Sequence, residues 1–172
     1  MAKSYYQIIP LAKLILNGCG ISISEGELIG TSFLIRTPEI IENGLRSIIC
    51  DGIPELAVTK KRKILGDSGL SMNPDIVFGE GIAVADIKYK YFSNDWNRND
   101  LNQAVAFATA FECDRCALLG FINNTAGKRP RSVQVGQVNA TTLGWPATVE
   151  MSPEDAANLV ISEVKDWLLQ CN

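Results

Sequence analysis

Hydrophobic and polar positions divide the chain into segments with distinct periods. Apolar residues recur at helical spacing from Ile8 to Leu16 and stop at Asn17-Gly18, a helix-end signal. Thr37-Pro38-Glu39 supplies an N-cap with proline at the first helical position, and predicts a helix running to about Ile49. Leu56 to Leu65 reads as a strand with a charged stretch, and Gly66 to Asn73 as a turn region. Asp75–Phe78 and Ile82–Tyr91 are predicted strands, joined at Gly79-Glu80-Gly81 in a connection suited to a hairpin. Ser93 to Asn99 is polar and predicts a loop. An alanine-rich helix opens at Asp100 and runs to about Glu112, apolar nearly all round and therefore expected to be buried. Ala117–Ile122 is a continuous apolar run, the pattern of a central strand. Val133, Val135 and Gln137 alternate with polar or small residues as an outer strand, and Ser152-Pro153-Glu154-Asp155 caps a last amphipathic helix to about Gln170. This order predicts one α/β domain over residues 1–172, with a mixed β-sheet flanked by α-helices. Residues 1–36 form its N-terminal helix and connector, and residues 37–172 its core.

The predicted hairpin concentrates the chemistry. Asp75 follows a proline at the start of the first strand, and Asp86 and Lys88 stand at i and i+2 in the second, Val84-Ala85-Asp86-Ile87-Lys88-Tyr89-Lys90. Side chains alternate across a strand, so Asp86 and Lys88 share a face, about 7 Å apart at ~3.3 Å per residue. Pairing brings Asp75 to the same end of the sheet. Two carboxylates and an ammonium converging there suit a hard divalent cation and the water it activates, and suggest phosphodiester hydrolysis. Each residue also has a simpler explanation. Asp75 can be a turn residue, and Asp86 and Lys88 a structural ion pair, although an unpaired carboxylate in that apolar run costs several kcal/mol. Lys90, one pleat further on the same face, can touch a phosphate or sit as a strand-end surface lysine. Glu39 and Glu42 lie at i and i+3 of the second helix. Glu39 is accounted for by the helix dipole, whereas Glu42, past the first turn, is the better third carboxylate. Gln103 can cap its helix or bond a phosphate oxygen or metal-bound water.

Composition narrows the possibilities. The chain has 172 residues, 47% apolar and 20% charged, enough for a core of ordinary size. It has no histidine, which excludes Ser-His-Asp and Cys-His hydrolases, histidine-based nucleases and most zinc hydrolases. Carboxylates, lysine and a bound ion must do any chemistry. The five cysteines (19, 50, 113, 116 and 171) are odd in number, and Cys113-x-x-Cys116 lacks the further ligands of a zinc site, so buried packing accounts for that pair. No apolar run reaches membrane-spanning length and the N-terminus lacks a signal-peptide layout, so a cytoplasmic location is the default expectation. A net charge of −3 is poor for a protein that holds DNA unaided. Two basic runs, Lys60-Lys61-Arg62-Lys63 and Lys128-Arg129-Pro130-Arg131, are either DNA contacts (Lys61, Arg62, Lys128 and Arg129) or solvated faces.

At these residues the chain resembles a known family. Pro74-Asp75 followed by Asp86-x-Lys88 resembles the PD-(D/E)xK nuclease superfamily. Three stretches are similar to the nuclease region of McrC, the cleavage subunit of McrBC modified-cytosine restriction systems. They are Leu11-Ala12-Lys13-Leu14-Ile15-Leu16, Glu39-Ile40-Ile41-Glu42-Asn43, and Asp86-Ile87-Lys88-Tyr89-Lys90 with Asp100-Leu101-Asn102-Gln103-Ala104-Val105-Ala106-Phe107. The resemblance implies a restriction-endonuclease-like fold and Mg²⁺, replaceable by Mn²⁺, held by Asp75 and Asp86. It further implies that Lys88 serves the nucleophile, that Glu42 and Gln103 support it, and that the partners are DNA and a GTP-driven AAA+ ring of the McrB type. The chain departs from the pattern at Phe107, where a tyrosine is usual, and at Arg36-Thr37, where the approach to the helix is usually more acidic or polar. McrC proteins also carry an N-terminal region that engages the ring, of which a chain this short is expected to include little.

The expectation is therefore a Mg²⁺-dependent endodeoxyribonuclease that pairs at least transiently to cut both strands. Two alternatives stay open: a non-catalytic subunit that binds a partner protein, and a standalone restriction or repair nuclease of the same superfamily.

Overall fold

A computed structural model describes residues 20–25, 28–33, 37–123 and 129–169. The chain divides into two compact units, Met1–Glu39 and Ile40–Asn172. In the first, β1 (Gly20–Glu25) and β2 (Leu28–Phe33) pair antiparallel, from Gly20 opposite Phe33 to Glu25 opposite Leu28. This hairpin lies where only a connector was expected. Its apolar positions are interleaved with serine, threonine and glycine, a composition that also describes loops. The helix expected over Ile8–Leu16 lies outside the described residues.

The second unit is built on a six-stranded mixed sheet ordered β3-β6-β7-β8-β10-β9, consistent with a restriction-endonuclease-like fold. Its strands are β3 (Val58–Thr59), β6 (Ile76–Phe78), β7 (Ala83–Tyr91), β8 (Arg115–Ile122), β9 (Ser132–Val135) and β10 (Val138–Pro146). β8 lies parallel to both β7 and β10, and the other neighbours pair antiparallel. A separate ribbon joins β4 (Lys63–Ile64) to β5 (Ser71–Met72). Helices α1 (Thr37–Gly52), α2 (Arg98–Phe111) and α3 (Pro153–Leu169) complete the element order.

Strand alternation sorts the core into two layers. Ala83, Ala85 and Ile87 of β7 pack with Ile76, Phe78, Leu119 and Leu143 against Leu45 and Ile49 of α1 and Val160, Val164 and Trp167 of α3. Val77 and Val84 pack with Leu118, Val138 and Ala140 against Ala104, Phe107 and Ala108 of α2. Helices therefore cover both faces of the sheet. The next β7 residues in the α2-facing row after Val84 are Asp86 and Lys88, so the pleat that builds the core also delivers the polar pair.

Several boundaries differ from expectation for physical reasons. The predicted strand Leu56–Leu65 is broken: β3 ends at Thr59, and the next paired residues belong to a different sheet. The helix expected at Asp100 starts at Arg98, because the Asn97 side chain accepts from the amides of Asn99 and Asp100. It buries one stripe rather than its whole circumference, since Asn102, Gln103 and Thr109 are exposed. Gln137 sits in a turn rather than a strand, with Gly136 at φ 59°, and β10 follows as a strand the pattern did not reveal. Its run Val138–Pro146 is rich in threonine and glycine and ends in proline, none of which marks a core strand. Cys113 and Cys116 are buried free thiols, kept protonated by burial that pushes Cys116 up to about 12.

Candidate active site

Asp75 precedes β6, whose register with β7 runs Ile76 opposite Ala85 and Val77 opposite Val84. One more step of that register sets Asp75 opposite Asp86. Asp75 Oδ2 accepts from the Ile87 amide at 2.9 Å, so the proline-initiated strand end is pinned across the ladder. Its carbonyl accepts from Arg46 Nη1 of α1 at 2.9 Å. Its other carboxylate oxygen, Oδ1, takes Lys60 Nζ at 3.1 Å, and the same ammonium reaches Glu42 Oε2 at 3.1 Å. Burial alone lowers the Lys60 pKa, but the hydrogen bonds to Glu42 and Asp75 outweigh it and the pKa is raised.

Asp86 is only 5% exposed. Lys88 Nζ lies 2.6 Å from the buried Asp86 Oδ2 as an ion pair. The Asp86 carboxyl is raised to about 6: burial is the largest cause, Lys88 opposes it, and the neighbouring Asp75 adds to the rise. Lys88 donates to Gln103 Oε1 at 2.7 Å and lies 3.8 Å from Asp100 Oδ1, both in the first two turns of α2. Lys90 is paired with Asp100 Oδ2.

A register shift between Lys88 and Tyr91 interrupts the β7–β8 ladder immediately after the lysine. Bulges of this kind re-aim side chains beside functional sites. Gly120 on β8 permits it: a Cβ there would lie 2.9 Å from the Phe92 ring and 3.1 Å from the Lys90 carbonyl.

The structure thus brings together Asp75, Asp86, Lys88, Gln103 and, through Lys60, Glu42. The basic candidates are placed differently. Lys61 pairs with the exposed Glu80, and Lys63 with Glu112. Arg129 is almost fully buried and paired with Glu163. Lys128 lies outside the described residues. Pattern reading missed Lys60, Arg46 and Asp100 as members of the cluster. Lys60 was hidden in a basic run, and Asp100 in the acidic first turn that any helix favours.

The donor set fits a hard divalent cation. Asp75, just before β6, and Asp86 on β7 present buried carboxylates side by side, each faced by a lysine ammonium that a cation could replace. Among the described residues no group of three histidine, cysteine or acidic side chains gathers at metal-binding distance. Mg²⁺ needs no such cage: one or two carboxylates with water and substrate phosphate suffice. A cavity of about 790 Å³ lined by Arg115, Arg131, Gln134, Asn139, Thr141 and Glu163, among others, lies away from these residues. A smaller one of about 170 Å³ adjoins Lys90, Asp100 and Trp96.

The family model of the McrBC 5-methylcytosine restriction system component matches residues 1–121, which include Asp75, Asp86, Lys88 and Gln103. The chain belongs to the McrBC family. The match bears out the resemblance to a component of McrBC systems. No curated protein matches the chain. Among solved structures, a chain from the refined half-complex of a tetradecameric assembly of Thermococcus gammatolerans McrB AAA+ hexamers with bound McrC matches with a TM-score of 0.63 at 11% identity. The match covers 80% of this chain and 34% of that one, so the chain spans about a third of its length. At that identity the likeness concerns the fold. Among the described residues no helix is long and apolar enough to cross a membrane.

Proposed function

We propose that this McrBC-family chain is a DNA endonuclease, the cleavage subunit of a McrBC-like restriction system, and that Asp75 and Asp86 hold Mg²⁺ or Mn²⁺. The single observation that carries the reading is the convergence of Asp75, Asp86 and Lys88 at one end of the β6–β7 pair, with both carboxylates buried. A divalent ion held there supplies positive charge to the scissile phosphate and acidifies a bound water.

The chain's own groups do the rest. Lys88, fixed by Gln103 and Asp100, presents an ammonium whose protons orient the attacking water and offset charge developing on the phosphate. Asp100 restrains Lys88 and Lys90 together, so the second lysine stays on the same side for a backbone phosphate. Asp75 is pre-oriented by the Ile87 amide through Oδ2, which leaves Oδ1, held by Lys60, as the oxygen for a cation. The acidic total and the partnered state of Lys61 and Arg129 argue that DNA affinity comes from elsewhere, which fits a McrB-like AAA+ GTPase as partner.

Plasmid nicking with Mg²⁺ or Mn²⁺, with and without such a partner and GTP, tests the reading. Wild-type chain is expected to nick, and the Asp86→Ala and Lys88→Ala proteins to be inactive though folded. Near wild-type cutting by Lys88→Ala removes the mechanism. Absence of nicking, together with no change in melting temperature at millimolar metal, would leave a non-catalytic partner-binding subunit with an internal ion-pair cluster.

A further inference from the structure

Asp75 has two carboxylate oxygens with distinct occupations. Oδ2 serves the Ile87 amide within the sheet, and Oδ1 takes the Lys60 ammonium. Lys60 also takes Glu42 Oε2 from α1, so one cation links two acids from different elements at equal distances of 3.1 Å. Lys60 follows β3 directly, at the point where the chain leaves the six-stranded sheet, and its side chain remains 43% exposed. Its ammonium is held by these two acids, and its exposed side chain leaves it a path into solvent. Lys88 is held more closely: it is 17% exposed and bound by Gln103 as well as by Asp86 and Asp100.

We infer that Lys60 is the resident counter-cation of the site, and that a divalent ion reaching Asp75 must displace its ammonium from Oδ1. This inference rests on the reading of Asp75 and Asp86 as cation ligands. It assigns Lys60 a positioning role: it neutralises Asp75 and Glu42 while no metal is bound, and lowers apparent metal affinity by competing for the same oxygen. The same ammonium pairs with Glu42 of α1, so its displacement from Asp75 also bears on that helix.

Calorimetric titration of the full chain with Mn²⁺ tests this, alongside melting temperatures with and without metal. Lys60→Gln is expected to bind Mn²⁺ roughly two- to fivefold more tightly than wild type, the scale of one partly exposed ion pair. Without metal it should melt lower than wild type, and saturating Mn²⁺ should raise its melting temperature by more. Lys60→Arg, which keeps the charge, should behave as wild type. Lys61→Gln removes an adjacent positive charge paired elsewhere, and its Mn²⁺ affinity should stay unchanged. The inference is overturned if wild type binds Mn²⁺ and Lys60→Gln binds no tighter. It is equally overturned if Lys61→Gln tightens binding as much, since charge alone would then account for the effect. Failure of wild type to bind Mn²⁺ at all strikes the metal-site reading itself, and this inference with it.

Discussion

The Ile87 amide donates to Asp75 Oδ2 across 2.9 Å, which makes a candidate metal ligand also a structural acceptor in the β6–β7 ladder. The two duties separate by substitution. Asp75→Ala leaves the buried Ile87 N–H without its partner, at a cost of about 1–3 kcal/mol in urea unfolding. Asp75→Asn keeps an oxygen for that amide and is expected to stay within about 1 kcal/mol of wild type. Both should lose the metal-dependent rise in melting temperature. Retention of that rise in Asp75→Asn would show that the Asp75 charge is not used for the ion.

The pH dependence of stability should carry the mark of Asp86. Its carboxyl ordinarily titrates near 3.8 and is pushed by burial to about 6 in the fold. A raised carboxyl pKa means that the folded chain holds the proton more tightly than the unfolded one. The associated stability is complete below about pH 3.8 and is lost as pH rises through about 6. Without metal, Asp86→Asn should therefore match wild type near pH 4. At pH 7 it should exceed wild type by on the order of 2–3 kcal/mol. Adding Mg²⁺ should narrow the gap, because only the wild type gains a ligand. Parallel stability curves for the two proteins across pH 4–7 would contradict the raised pKa.

Lys88 and Gln103 should separate by magnitude. Lys88→Met removes the ammonium and is expected to lower cleavage by about 10²–10³-fold, the scale of one lost electrostatic donor. Gln103→Ala removes one of three restraints on that ammonium, and Asp86 and Asp100 still hold it. A loss of roughly tenfold is expected from one hydrogen bond to a charged group. Single-turnover cleavage under saturating metal measures both, and equal losses would mean that Gln103 itself touches the reacting groups.

What the sequence made legible follows from period and spacing. The alternation through Val84, Asp86 and Lys88 placed both polar side chains on the face that carries Val84, and Gly79-Glu80-Gly81 announced the hairpin that sets Asp75 beside them. Long-range partners were not legible. Lys60 meets Glu42 and Asp75 only because β3 ends at Thr59 and returns the chain to α1, and no local pattern encodes that meeting. β10 escaped for a different reason: ladders to β8 on one side and β9 on the other supply its partners, so its threonines and glycine could occupy a core strand without a periodic signature. The register shift after Lys88 depends on Gly120, which lies on another strand and reads in sequence as one small residue within an apolar run.

That dependence is itself testable. Gly120→Ala places a methyl 2.9 Å from Phe92 Cζ and 3.1 Å from the Lys90 carbonyl oxygen. The ring can give, but the carbonyl belongs to the displaced segment and moves only if the bulge does. Overpacking of this kind is expected to cost about 1–3 kcal/mol. Adding Phe92→Leu should recover the part due to the ring and leave the part due to the backbone. Asp75 and Asp86 lie before the bulge, so Mn²⁺ affinity should persist in Gly120→Ala. Lys90 lies within it, and its pairing with Asp100 should weaken, lowering cleavage at saturating metal. Wild-type stability in Gly120→Ala would mean that the β7–β8 register relaxes freely around the methyl, and that the bulge does not hold Lys90 in place.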